Sequence, residues 1–280
     1  MLPRRSLTSV FNQKTLSTMV RRCLSSYKML DIETTDKEYY IMNLNRKPVN
    51  SMNYELLKEM NQAIKELEAD KKCRGVVISS KLPVFSAGLD LFEMYDPNVE
   101  RMTAFWRELQ DMKINYFGSP LVMVGAINGA CPAGGCAIAF SCDYRIMADG
   151  KHTIGLNETK IGLAAPYWLA ESMKLLTGHR EAERLLALSI LMKPGEALEK
   201  GVVDEVLPLE NVLERGKEVM EEWLQIPDVG RAQTKKQFRK YFLEELEERR
   251  DEDLERFIKG VTSPQLQKLL GFYIQQLKKK

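Results

Sequence analysis

Three stretches of the sequence carry the residue types that could do chemistry. The first is Phe85-Ser86-Ala87-Gly88-Leu89-Asp90-Leu91, which follows a short β-branched run. The second is Ala126-Ile127-Asn128-Gly129-Ala130-Cys131-Pro132-Ala133-Gly134-Gly135-Cys136, again after an apolar run. The third is Ile154-Gly155-Leu156-Asn157-Glu158-Thr159-Lys160-Ile161-Gly162-Leu163. In the first two, small side chains leave main-chain N–H groups open to a ligand. Two such donors from separate loops, meeting at one oxygen, would form an oxyanion hole. For either loop taken alone, close packing of a helix on a strand is the better account of the small residues. Neither has the G-x-G-x-x-G spacing or the phosphate-loop pattern, which disfavours nucleotide binding of those kinds.

Glu158 lies among Ile154, Leu156, Ile161, Leu163 and Ala164. A carboxylate in apolar surroundings holds its proton more tightly, which suits acid–base work near neutral pH. On these residues alone, a surface or helix-capping Glu beside Lys160 fits equally well.

The elements that must position these loops alternate. Residues 29–44 read as two short strands, and Asn50-Ser51 supplies cap chemistry for a helix carrying Leu56, Leu57, Met60, Ala63, Ile64 and Leu67. Strands are expected at 75–79, 121–127 and 144–148, with a loop at 80–90, a helix at 100–117 and a short apolar helix ending near Ser141. Strands alternating with helices imply parallel β with crossovers. Beyond about residue 167 the pattern is helical. Pro208 to Leu224 is one helix, and the charges of Ala232 to Ile258 read as solvated helix faces. Ser263-Pro264 opens a last helix, whose stripe of Leu266, Leu269, Leu270, Tyr273, Ile274 and Leu277 needs a partner in the domain or in another subunit.

Charge is uneven along the 280 residues. Residues 1–30 hold six of the 41 basic side chains and no acidic one, leaving 35 basic against 39 acidic in the rest. The folded body is therefore slightly acidic and gives no basis for a nucleic-acid partner. No apolar run is long enough for a membrane span. The basic, Ser/Thr-rich tail has the composition of a mitochondrial transit peptide, here bounded at residues 1–28. The chain ends in three lysines and not in Ser-Lys-Leu. Five cysteines and two histidines, with no Cys-x-x-Cys pair, argue for reduced core thiols and no metal site.

Phe-Ser-Ala-Gly-Leu-Asp, Asn-Gly-Ala-Cys-Pro-Ala-Gly-Gly-Cys, Cys142-Asp143-Tyr144-Arg145-Ile146 and Gly-Leu-Asn-Glu, in this order and spacing, resemble the motifs of the crotonase (enoyl-CoA hydratase/isomerase) superfamily. The resemblance covers about residues 30–280, and Cys-Pro-Ala-Gly-Gly-Cys with Gly-Leu-Asn-Glu-Thr resembles the mitochondrial 3,2-trans-enoyl-CoA isomerase branch in particular. It implies an α/β fold, a crotonase-like spiral of ββα units. The core with the active site would span 29–205, and a C-terminal helical trimerisation region 206–280. It maps the oxyanion donors onto the main-chain N–H groups of Ala87 and Gly134 and the catalytic carboxylate onto Glu158. Ser86, Ala87, Gly88, Leu89, Asp90 and Leu91, with Gly134, would bind the thioester substrate. The implied partners are an acyl-CoA and further copies of the chain, in a homotrimer or a dimer of trimers, in the mitochondrial matrix, with no cofactor because CoA is part of the substrate.

Two substitutions choose the reaction within that resemblance. Hydratases carry a second Glu after Gly-Gly-Cys, where this chain has Ala137; dienoyl-CoA isomerases carry an Asp after Gly-Leu-Ala-Ala, where it has Pro166. One carboxylate suffices for a 1,3 proton transfer that moves a double bond from C3–C4 to C2–C3. Other crotonase-type reactions, such as hydration or thioester hydrolysis, and an inactive acyl-CoA-binding scaffold are the rival expectations. Tyr95, Trp106, Phe117, Tyr167 and Trp168 are candidates for an acyl pocket, with core packing the commoner role for each, and Lys81 is a candidate partner for the CoA phosphate.

Overall fold

Val76 and Val77 are neighbours in sequence but belong to different cores. Val76 and Ile78 face one layer of helices, while Val77 faces another. That alternation is the signature of a central strand buried on both faces. The computed structural model describes residues 27–278. Its main sheet has six strands in the order β1 (Leu30–Thr34), β2 (Tyr39–Leu44), β3 (Gly75–Ser80), β4 (Val122–Ile127), β6 (Tyr144–Ala148) and β8 (Glu205–Leu207). β1 runs antiparallel to β2, and every other neighbouring pair is parallel.

One face of the sheet is covered by α1 (Tyr54–Ala69) and, beyond it, α2 (Val99–Gly118). α1 buries Leu56, Leu57, Met60, Ala63, Ile64 and Leu67 at helical spacing. Each of the Leu, Ile and Met side chains among them contributes roughly 1.5–3 kcal/mol of burial. Its cap is Asn53, whose side chain accepts from the Leu56 amide at 3.0 Å. The expected cap at Asn50-Ser51 is thus three residues early. Asn50 instead turns the chain at φ 51°, and its amide donates to Ser80 Oγ and to the Val84 and Phe85 carbonyls. It braces the loop that carries Ala87.

The other face is covered by α7 (Leu209–Leu224), through Val212, Val219 and Met220 against Val77, Val124, Ala126 and Ile146. Gly216 allows this approach, since a Cβ there would stand 3.3 Å from Val77 Cγ1. A division at 205/206 therefore does not follow the structure: it cuts β8, and α7 belongs to the core of the sheet.

The charged stretch is two helices, α8 (Asp228–Glu248) and α9 (Arg250–Val261), broken at Arg249. α8 is not purely polar outside: Phe238 and Tyr241 are 85% and 77% exposed. α10 (Pro264–Lys278) buries Leu266, Leu270 and Ile274 within its own chain, whereas Leu269 remains 39% exposed. No helix among the described residues is long and apolar enough to cross a membrane. The stretch read as a transit peptide lies outside the described residues except for Tyr27 and Lys28. These two are tied to Glu66 and Glu59 of α1.

Candidate active site

The loop after β3 is held by side chains that point away from the space it borders. Ser86 is buried; its hydroxyl donates to the Asn50 carbonyl at 2.8 Å and accepts from the Gly88 amide. Asp90 is buried as well. It pairs with Arg46 at 2.6 Å and caps the 3₁₀ turn Leu91–Glu93 through the Phe92 amide. Ala87, Leu89 and Leu91 face the other way, into a cavity of about 520 Å³. Of the six loop residues expected at the substrate, Ser86, Gly88 and Asp90 are therefore supports and do not form the wall.

The loop also corrects the expected donor. The Ala87 N–H is spent on the Val49 carbonyl at 3.0 Å. Beyond it the chain turns at Gly88, with φ 91°, and runs beside Met52. Met52 donates to the Gly88 carbonyl at 2.8 Å and accepts from the Asp90 amide at 2.9 Å. An extended strand sends alternate amides to opposite edges. The Leu89 N–H thus lies on the open edge, and it has no acceptor among the described residues.

The second loop begins with β5 (Cys131–Pro132), which pairs in parallel with β7 (Ile154–Gly155). This two-stranded ribbon joins the Gly134 segment to the Glu158 segment. The Ala133 amide extends it, donating to the Gly155 carbonyl at 2.8 Å. Ala133 itself is left-handed at φ 49°, a conformation that costs a non-glycine residue roughly 1 kcal/mol or more. It aims the chain into α3 (Gly135–Ala139), and the Gly134 N–H likewise has no acceptor among the described residues. A Cβ on Gly134 would stand 3.0 Å from the Leu89 nitrogen, and one on Gly88 3.0 Å from the Gly134 nitrogen. The two unpaired amides are neighbours, and only glycine leaves the gap between them open.

Glu158 begins the 3₁₀ turn Glu158–Ile161, closed by Gly162 at φ 77°. Thr159 anchors that turn on the Leu186 carbonyl and Ser189. The Glu158 carboxylate lines the same cavity as Leu89 and Gly134. Burial pushes it up to about 7 from 4.5, opposed by hydrogen bonds from its own amide and that of Asn157. Such a group exchanges a proton near neutral pH. Ala137 and Pro166 line the cavity too, at the two positions where a second carboxylate was sought.

The rest of the wall is apolar, from Leu91, Met94, Leu109, Leu163 and Phe257, with Tyr273 from α10. Trp106, Tyr167 and Trp168 line it. Phe117 packs on Phe242 at 4.9 Å instead, and Tyr95 lies 41% exposed against α10. Lys81 is no part of this wall and pairs with Glu33 and Asp31. One polar group that sequence reasoning missed is Asp253 of α9. Its Oδ2 accepts from Trp106 Nε1 at 2.8 Å, Gln110 Nε2 at 2.8 Å and Trp168 Nε1 at 3.3 Å. Nothing local signals this, because the partners lie on two other helices, α2 and the helix Tyr167–Thr177. Cys73, Cys131, Cys136 and Cys142 are free and buried, and burial pushes Cys136 up.

Comparison with known proteins bears on this arrangement. Residues 35–280 match the family model described as enoyl-CoA hydratase/isomerase. The chain is 44% identical over 242 residues to the mitochondrial enoyl-CoA delta isomerase 1 of Mus musculus, covering 86% of this chain and 84% of that protein. It is 43% identical over 240 residues to the Homo sapiens protein of the same name, covering 85% and 80%. Its fold superposes on the crystal structure of human mitochondrial delta3-delta2-enoyl-CoA isomerase with a TM-score of 0.88 at 41% identity, covering 90% of this chain and 99% of that one.

Proposed function

The chain belongs to the enoyl-CoA hydratase/isomerase family, and from that premise we propose that it moves the double bond of a 3-enoyl-CoA to the 2-trans position. The observation that carries this reading is a single proton-exchanging carboxylate beside two unpaired amides. The thioester oxygen accepts hydrogen bonds from Leu89 N–H and Gly134 N–H. Glu158 takes a proton from C2, and the electron pair of the C–H bond moves toward that oxygen to form a dienolate. The amides stabilise the developing charge, a contribution of roughly 3–4 kcal/mol per donor in comparable sites. Glu158 then returns the same proton to C4, the dienolate collapses, and the double bond rests between C2 and C3. Nothing is consumed, and the scheme calls for no cofactor beyond the CoA of the substrate.

Hydration is the weaker reading because Ala137, buried in the wall, offers a methyl where a second carboxylate would hold water. An assay that follows conversion of 3-enoyl-CoA, and separately water addition to 2-trans-enoyl-CoA, distinguishes the two. Faster hydration than isomerisation would reject our assignment.

The relatives' names support a mitochondrial location, and the matrix is part of this proposal. So is a homotrimer. Its support is the aromatic pair Phe238 and Tyr241, one helical turn apart on α8 and uncovered in the single chain. Sedimentation of the full chain tests it; a monomer at micromolar concentration would refute it.

A further inference from the structure

We propose that Asp253 ends the acyl channel and selects what the tail of the substrate carries there. The inference rests on the acyl-CoA reading of the cavity given above. Three charged side chains line that cavity: Glu158, Asp253 and Arg256. Glu158 belongs to the chemistry, and Arg256 is exposed and pairs with Glu252 at 2.6 Å. Asp253 is different, being only 6% exposed and facing no cation among its bonded partners. With three N–H groups donating to it, Oδ2 is held in place and cannot swing away. Gln110 is itself held, since its amide also donates to the Arg250 carbonyl at 3.0 Å. Trp106 is fixed from below by stacking on Phe257, with centroids 3.6 Å apart. Oδ1 has no partner among the described residues, and the residue sits in the cavity wall.

A fixed carboxylate oxygen in an otherwise apolar wall does two things. A methyl end arriving there strips water from the oxygen and gives no hydrogen bond in return. A hydroxyl end donates to Oδ1 and restores what was lost. Asp253 therefore sets an upper length for hydrocarbon tails and tolerates a terminal donor at that length.

The test measures binding of saturated acyl-CoA thioesters, which cannot isomerise, to the full chain by calorimetry. Two series of increasing length are used, one methyl-ended and one ending in a hydroxyl. Affinity for the methyl series is expected to climb by up to about fourfold per methylene and then break. At the break, the hydroxyl-ended thioester is expected to bind about tenfold more tightly than its methyl counterpart. In Asp253→Leu the break moves to longer chains and the hydroxyl advantage disappears; in Asp253→Asn the advantage shrinks. A smooth climb without a break in the unsubstituted protein, or a hydroxyl that never helps, overturns the proposal, and neither result depends on a variant folding. The isomerase reading fails separately, on absence of turnover with the shortest 3-enoyl-CoA.

Discussion

Glu158 and Asp253 are two carboxylates in the wall of one cavity, and they differ in what surrounds them. Glu158 has no side-chain partner among the described residues and is pushed up to about 7 by burial. Asp253 accepts three side-chain donors on one oxygen. The first is left under-solvated, so a proton comes and goes at little cost. The second is held in place, with three N–H groups on one oxygen. The same functional group is set apart by burial at one site and by three side-chain donors at the other.

The sharpest way to break this contrast is to neutralise each in turn. Glu158→Gln is expected to lower kcat/KM on 3-enoyl-CoA by about 10³-fold, in the range for loss of a general base, with acyl-CoA affinity little changed. Asp253→Asn should leave turnover of the shortest substrate near wild type. Equal losses in the two variants would erase the distinction. Gly134→Ala tests the donors on which Glu158 depends. Its methyl would stand 2.9 Å from Met52 Cε and 3.0 Å from the Leu89 nitrogen. We expect about a 10²-fold fall in kcat with the circular dichroism spectrum intact. Asp253→Leu orphans two indole donors and an amide, so urea denaturation should show a loss of about 2–4 kcal/mol.

The next effect is pH-dependent. Glu158 has a native value near 7, above its usual 4.5, so the native state holds that proton more tightly than the unfolded chain. Its stabilising contribution is complete below about 4.5 and is lost as pH rises through 7. Relative to wild type, Glu158→Gln should gain on the order of 2 kcal/mol between pH 5 and 8 in the same denaturation experiment. Activity runs the other way: kcat/KM should rise through about pH 7 as the base deprotonates. A flat profile would show that another group takes the proton. The smallest effect is expected from Ala137→Glu, where a trace of water addition to 2-trans-enoyl-CoA would appear if a second carboxylate is what hydration lacks.

Much of this was legible in the sequence because it is local. The β-branched runs became β3 and β4, and the small-residue loops and Glu158 meet at one cavity. Which amide of the first loop faces that cavity was not legible. It depends on how the chain turns at Gly88 and which edge Met52 occupies, so the expectation of Ala87 had to give way to Leu89. The Asp253 cluster was invisible for a different reason: residues 106, 110, 168 and 253 converge only through tertiary packing. The placement of α7 was missed because a helix after the last strand reads like the helices that follow it. Only its packing on Val77, Val124 and Ile146 assigns it to the sheet.

The ribbon of β5 and β7 has a consequence for how such a protein can diversify. It locks the Gly134 and Glu158 segments together through peptide groups, whose spacing is the same whatever side chains they bear. The rest of the cavity wall, by contrast, includes side chains carried on α2, α9 and α10. Lineages could therefore trade one tail for another by point changes there while the proton's path keeps its gauge.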